Sequence, residues 1–94
     1  MISHVVMWKL KNISEGDEVV RRLKNLEGKI PGLISIEAGA DTNRSDAAWD
    51  VVLISTHESK DALDSYQVHP DHMEVKKFIG SVAAERAVVD FSGS

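Results

Sequence analysis

"ISHVVMWKL" (residues 2–10) is the stretch on which the reading of this chain turns. It is dense in β-branched and aromatic residues, so it reads as a strand. Successive side chains of a strand point to opposite faces. Ile2, His4, Val6, Trp8 and Leu10 therefore share one face, and Ser3, Val5, Met7 and Lys9 share the other. Neither face is plainly the wet one. A sheet built around such a strand needs cover on both sides, and the remaining residues must supply it.

Reading outward, "ISEGDEVVRRLKNLEGKI" (13–30) repeats Val19, Val20, Leu23, Leu26 and Ile30 at helical spacing. Ser14 is placed to cap this helix, with Asp17 three residues on, and Pro31-Gly32 ends it. "LISIEAGA" (33–40) is a second strand. "DTNRSDAA" is a polar loop of the hairpin kind, and "AWDVVLIST" (48–56) is a third strand with a continuous apolar centre. "SKDALDSYQ" (59–67) is a short helix capped by Ser59. A further helix starts at Pro70, with His69 as its N-cap, and runs to about Ile79. "AERAVVDFS" (84–92) closes the chain as a strand.

The order is βαββαβ. With right-handed crossovers this gives an α+β, ferredoxin-like domain over 1–94: a four-stranded antiparallel sheet, helices on one face, strands one and three central. Strand three places Trp49, Val51 and Leu53 against Val52 and Ile54, and strand four places Val88 against Val89 and Phe91. Both sheet faces are thus apolar, while the helices cover one. A bare apolar face is what soluble monomers avoid, so a second copy is expected to cover it, sheet on sheet, as a homodimer. His4, Trp8 and Arg86 carry polar handles, which suit a partly wet space between two sheets. The partner-facing set is therefore expected to be His4, Val6, Trp8, Val51, Leu53, Arg86 and Val88. Val5, Met7, Val52, Ile54, Ala87, Val89 and Phe91 are expected under the helices.

The 94 residues carry a net charge of −4, against the clustered basic residues that nucleic-acid binding needs. Cysteine is absent, which excludes disulfides, thiolate catalysis and cysteine-ligated metals. No apolar run approaches the ~20 residues of a membrane span, and the first residues lack the pattern of a signal peptide. The expected location is cytoplasmic.

"HVVMWKLK" at the start, "YQVHPDH" after the third strand and "ERAVVDF" at the end resemble the stress-responsive A/B barrel domain family, whose members are dimeric α/β barrels. The block from "NRSDAAWDVVLIST" through "ESKDALDSYQVHPDH" carries the likeness most densely. The resemblance implies a ferredoxin-like fold and a homodimer whose sheets form a barrel. A plant member, olivetolic acid cyclase, closes a linear polyketide by aldol chemistry without metal or organic cofactor. Its tyrosine and histidine match Tyr66 and His72 here, and a pocket histidine matches His4. This chain departs at Val51 and Leu23, where that cyclase has a histidine and a tyrosine, and at Trp8 and Arg86.

The catalytic candidates are therefore His72, as general base, and Tyr66, orienting it or binding a carbonyl. The substrate-binding candidates are His4, Val6, Trp8, Val51, Leu53, Arg86 and Val88. Each also has a plainer role: His72 as a helix-start residue, His4 as a satisfied core histidine, His69 as a cap. Arg86 is expected to be at least half-buried against an acidic partner or a bound anion, such as a substrate carboxylate or phosphate. His57 is expected in an exposed turn. His69 and His72, two imidazoles three residues apart, are too few for a metal without help, and no cofactor signature occurs. Three functions follow. The first is a cofactor-free enzyme, of cyclase, lyase or monooxygenase-like kind, acting on a hydrophobic carbonyl compound. The others are a small-molecule-binding stress-response protein and a structural dimer whose cavity its own side chains fill, Trp8 foremost.

Overall fold

The structure, a computed structural model, describes residues 1–93; Ser94 lies outside it. Strands β1 (Ile2–Leu10), β2 (Leu33–Ala40), β3 (Val51–His57) and β4 (Ala83–Ser92) form one sheet in the order β2-β3-β1-β4. All of its pairings are antiparallel. Helix α1 (Gly16–Lys24) joins β1 to β2, and α2 (Lys60–Val68) and α3 (Pro70–Val82) join β3 to β4. This is the ferredoxin-like plan, with β1 and β3 central.

Local chemistry sets the element ends. The first crossover opens with a single 3-10 turn, Ile13–Glu15, because the Asn12 side chain accepts the Ser14 N–H at 3.0 Å. Asn12 thus caps the turn, while α1 begins after Glu15 with no side-chain capping bond, from Ser14 or otherwise, and stops at Lys24, well short of Ile30. Ser59 caps α2 through the Ala62 N–H at 3.1 Å. His69 caps α3, its Nδ1 accepting the Asp71 N–H at 3.1 Å, with Pro70 in the first helical position. The loop before β3 is clamped by Asp50, which accepts the Leu10 N–H at 2.7 Å and an Arg44 guanidinium N–H at 2.9 Å. That clamp fills the span to Val51, so β3 starts three residues later than "AWD" implies and continues to His57.

The core lies between the sheet and the helices. Val6, Trp8, Val51 and Leu53 from the sheet meet Val19 and Leu23 of α1, Leu63 and Tyr66 of α2, and Val75 and Ile79 of α3. The face assignment from sequence is thereby reversed. His4, Val6, Trp8, Val51 and Leu53 are buried beneath the helices at 1–6% exposure. On the opposite face Met7, Ile54, Val89 and Phe91 stand 36–62% exposed. The physical reason is that the helical layer is not purely apolar. Tyr66 and His72 give His4 aromatic and polar neighbours there, so polar-handled residues are welcome under the helices. The face whose centre is purely aliphatic is the open one. There Val5 sits between Ile54 and Val89, and Met7 between Val52 and Ala87.

Candidate functional site

Period-two alternation along β1 and β3 brings four polar side chains to one end of the core. His4 on β1, Ser55 and His57 on β3 and Asp90 on β4 all project to the helix side. α2 ends there with Tyr66, and α3 starts there with His72. The ring centroids of Tyr66 and His72 are 4.3 Å apart, those of His57 and Tyr66 4.7 Å, and those of His4 and Tyr66 6.3 Å. Because Pro70 fixes the start of α3 and His69 caps it, His72 is held in the first turn with little freedom.

Each histidine has a distinct partner. His4 Nδ1 pairs with the Asp90 carboxylate. His57 Nε2 meets Ser55 Oγ at 2.9 Å, leaving Nδ1 buried without a partner among the described residues. His72 Nδ1 lies 3.2 Å from the Gln67 carbonyl. A carbonyl only accepts, so Nδ1–H donates and the neutral ring keeps its Nε2 lone pair free. Burial pushes the His72 imidazole down to about 4; the Gln67 carbonyl pulls the other way, and the charges of Lys76, His4 and Arg86 add to the lowering. Burial, not the helix N-terminus, is thus the main reason this ring is neutral near pH 7. His57 is lowered to about 4, first by burial and then by His4, against the pull of Asp90. Burial also pushes the Tyr66 phenol up to about 12; the nearby Ser55 hydroxyl offsets part of this without meeting it in hydrogen-bonding geometry.

A cavity of about 300 Å³ opens between the sheet and α3. His4, Val6, Trp8, Leu53 and Arg86 line it from the sheet, His72, Val75, Lys76 and Ile79 from α3, with Leu23 from α1 and Gln67 from α2. Of the residues singled out from sequence, His72, His4, Val6, Trp8, Leu53 and Arg86 therefore meet at one space. Tyr66, fully buried, stands behind His72 and is not part of the wall. Val51 is core beneath α1, and Val88 is 45% exposed on the edge strand, away from the cavity. Arg86 is exposed and has no carboxylate partner among the described residues, so it is neither half-buried nor paired with an acidic side chain, the first of the two expected arrangements. It sits on an edge strand that no helix packs against closely, so burial was never available to it.

Three members of the cluster went unread in the sequence. His57 is wholly buried in β3 rather than exposed in a turn. The signal was the same alternation: Val51, Leu53, Ser55 and His57 form one face once the strand is carried to its end, and Ser55 comes with it. Asp90 follows Arg86 and Val88 on the helix-side face of β4, opposite His4. Among the described residues no group of three or more His, Asp or Glu side chains is placed to hold a metal ion. His69 is turned away into its capping bond.

A four-stranded antiparallel sheet with helices on one face, an open apolar face on the other and a cavity lined by two histidines between sheet and helices defines a ferredoxin-like α+β protein. The model of the stress responsive A/B barrel domain matches residues 2–93, and the chain belongs to that family. It is 32% identical over 80 residues to a stress-response A/B barrel domain-containing protein of Arabidopsis thaliana, covering 82% of this chain and 30% of that longer protein. To a second Arabidopsis thaliana protein of the same family name, At5g22580, it is 29% identical over 91 residues, covering 94% of this chain and 82% of the relative. Among solved structures, a dimeric protein of unknown function and ferredoxin-like fold from Bacteroides fragilis superposes with a TM-score of 0.84 at 27% identity. The match covers 98% of this chain and 95% of that one. A hydroxynitrile lyase from Passiflora edulis shares the fold, at 17% identity and a TM-score of 0.83, over 99% of this chain and 93% of the lyase. No helix among the described residues is long and apolar enough to cross a membrane.

Proposed function

We propose that the protein is a cytoplasmic homodimer, joined through its open sheet face, in which each copy takes a hydrophobic carbonyl-bearing small molecule into the cavity between sheet and helices. His72 then moves a proton on that molecule without a cofactor. The observation that carries this reading is the His72 ring. It forms part of the cavity wall, its Nδ1–H is held by Gln67, and it is neutral near pH 7 with Nε2 free. The same burial makes it a weaker base than free imidazole, so the proton it takes is one acidified by a neighbouring carbonyl. Tyr66, behind the ring, acts as a positioning residue. An aldol closure of the kind implied by the resemblance to the plant cyclase is one reaction that begins this way. The dimer is supported by the exposed Met7, Ile54, Val89 and Phe91 and by the dimeric description of the Bacteroides fragilis protein.

The runner-up is binding without turnover, in the same cavity. A cavity filled by its own side chains is disfavoured, because Trp8 is 6% exposed, belongs to the wall and still leaves about 300 Å³. One experiment separates all three. 2-Octanone is incubated with the protein in deuterated buffer, exchange of the protons beside its carbonyl is followed by NMR, and binding is read from Trp8 fluorescence in a Trp49→Phe background. Enzyme-like proton transfer gives exchange that His72→Ala abolishes. Fluorescence change without exchange supports the binder, and no response in either overturns the cavity as a ligand site.

A further inference from the structure

The mouth of the cavity carries more positive charge than the chain as a whole would suggest. The protein is net negative at −4, yet Lys76 on α3 and Arg86 on β4 face the same opening from opposite sides. Neither has a carboxylate partner among the described residues. The acids that could neutralise them are already engaged. Glu85 also lines the cavity, but its side chain falls on the opposite face of β4 from Arg86, with the carboxylate 3.5 Å from Lys9 Nζ, and Asp90 is held by His4. Both line the same space as the His72 ring, and their charges accordingly disfavour its protonation. Further in, the wall turns apolar, with Val6, Trp8, Leu53, Val75 and Ile79.

Two free cations at the rim of an apolar pocket are complementary to a molecule with one anionic end and one greasy body. We propose that the ligand is an anionic amphipath, its carboxylate or phosphate held between Lys76 and Arg86 and its apolar chain running inward past Trp8 toward His72. Arg86 offers a planar fork to two oxygens of the head group, and Lys76 adds a point charge. A carbonyl along the chain then falls within reach of His72, so the clamp sets which carbon meets the base. This inference rests on the cavity reading above and adds the head group and the residues that select it. It also gives Arg86, exposed and without a partner, a reason to sit where it does.

The test uses the Trp49→Phe protein, so that Trp8 in the wall reports binding, at low salt and about pH 7.5. 1-Octanol, octanoate, octyl phosphate and octylamine are titrated in turn. The expected result is that octanoate or octyl phosphate, or both, binds about tenfold or more tighter than 1-octanol. Octylamine is expected to bind more weakly than 1-octanol. The preference is expected to shrink as salt is raised and to vanish in Lys76→Met/Arg86→Met. Which of the two anions binds better identifies the head group as carboxylate or phosphate. Equal binding of 1-octanol and both anions overturns the clamp while leaving the cavity reading intact. Binding of none of the four overturns both.

Discussion

Lowering the pH from about 7.5 to about 5 is expected to destabilise the folded chain through two buried histidines. His57 and His72 each titrate at about 4 when folded and near 6.5 when exposed. A group whose folded pKa is depressed binds fewer protons in the native state than in the unfolded one. Its contribution is therefore fully present above pH 6.5, falls as pH drops below that, and is exhausted below about 4. Linkage puts the loss at roughly 2 kcal/mol per histidine by about pH 5, or about 4 kcal/mol for both if they act independently. That is a large share of the roughly 5–15 kcal/mol typical of a small domain. The assay is urea unfolding at fixed protein concentration, since dimerisation would otherwise confound the comparison. The wild type is compared with His72→Asn and His57→Asn at both pH values. Each variant removes one titrating ring, so the pH-dependent loss should fall by about half in each, whatever the variant's absolute stability. A loss below about 1 kcal/mol in the wild type, or an undiminished loss in both core variants, would show that burial does not hold these rings neutral.

Three more perturbations probe the fold. Met7→Asp or Ile54→Asp should yield a folded monomer by sedimentation equilibrium, because the charge falls on the open face; Val6→Asp or Val51→Asp should unfold the chain by circular dichroism, because those positions are core. Gly32→Ala should cost about 1–3 kcal/mol in urea unfolding, since φ there is +83° and an added Cβ would come within 2.7 Å of the Ala62 Cβ.

Much of this architecture was legible because periodicity and caps are local. The alternation of "ISHVVMWKL", the helical repeat around Leu23 and the Pro70 and Ser59 helix starts lead directly to the βαββαβ order. What periodicity cannot show is which face of a two-faced strand the helices choose. That choice depends on Tyr66 and His72 reaching across from α2 and α3 to meet His4, a contact between residues more than sixty positions apart. The site was half legible for a related reason. His72 and His4 stand out by residue type, whereas Asp90 and Ser55 matter only through the partners the sheet register gives them. The burial of Arg86 was misjudged because an edge strand without a helix packed closely against it leaves a guanidinium in the open.

The most direct test of the account is the state of the His72 imidazole itself, read by nitrogen NMR on protein labelled at histidine. The account predicts a neutral ring from about pH 5 to 8, protonated at Nδ1 and bare at Nε2. It predicts further that adding 2-octanone shifts the Nε2 signal while the His69 ring stays unchanged. A His72 ring that protonates near 6.5, as an exposed histidine does, with an Nε2 signal indifferent to 2-octanone, would contradict the claim that this residue is the buried base of a ligand cavity.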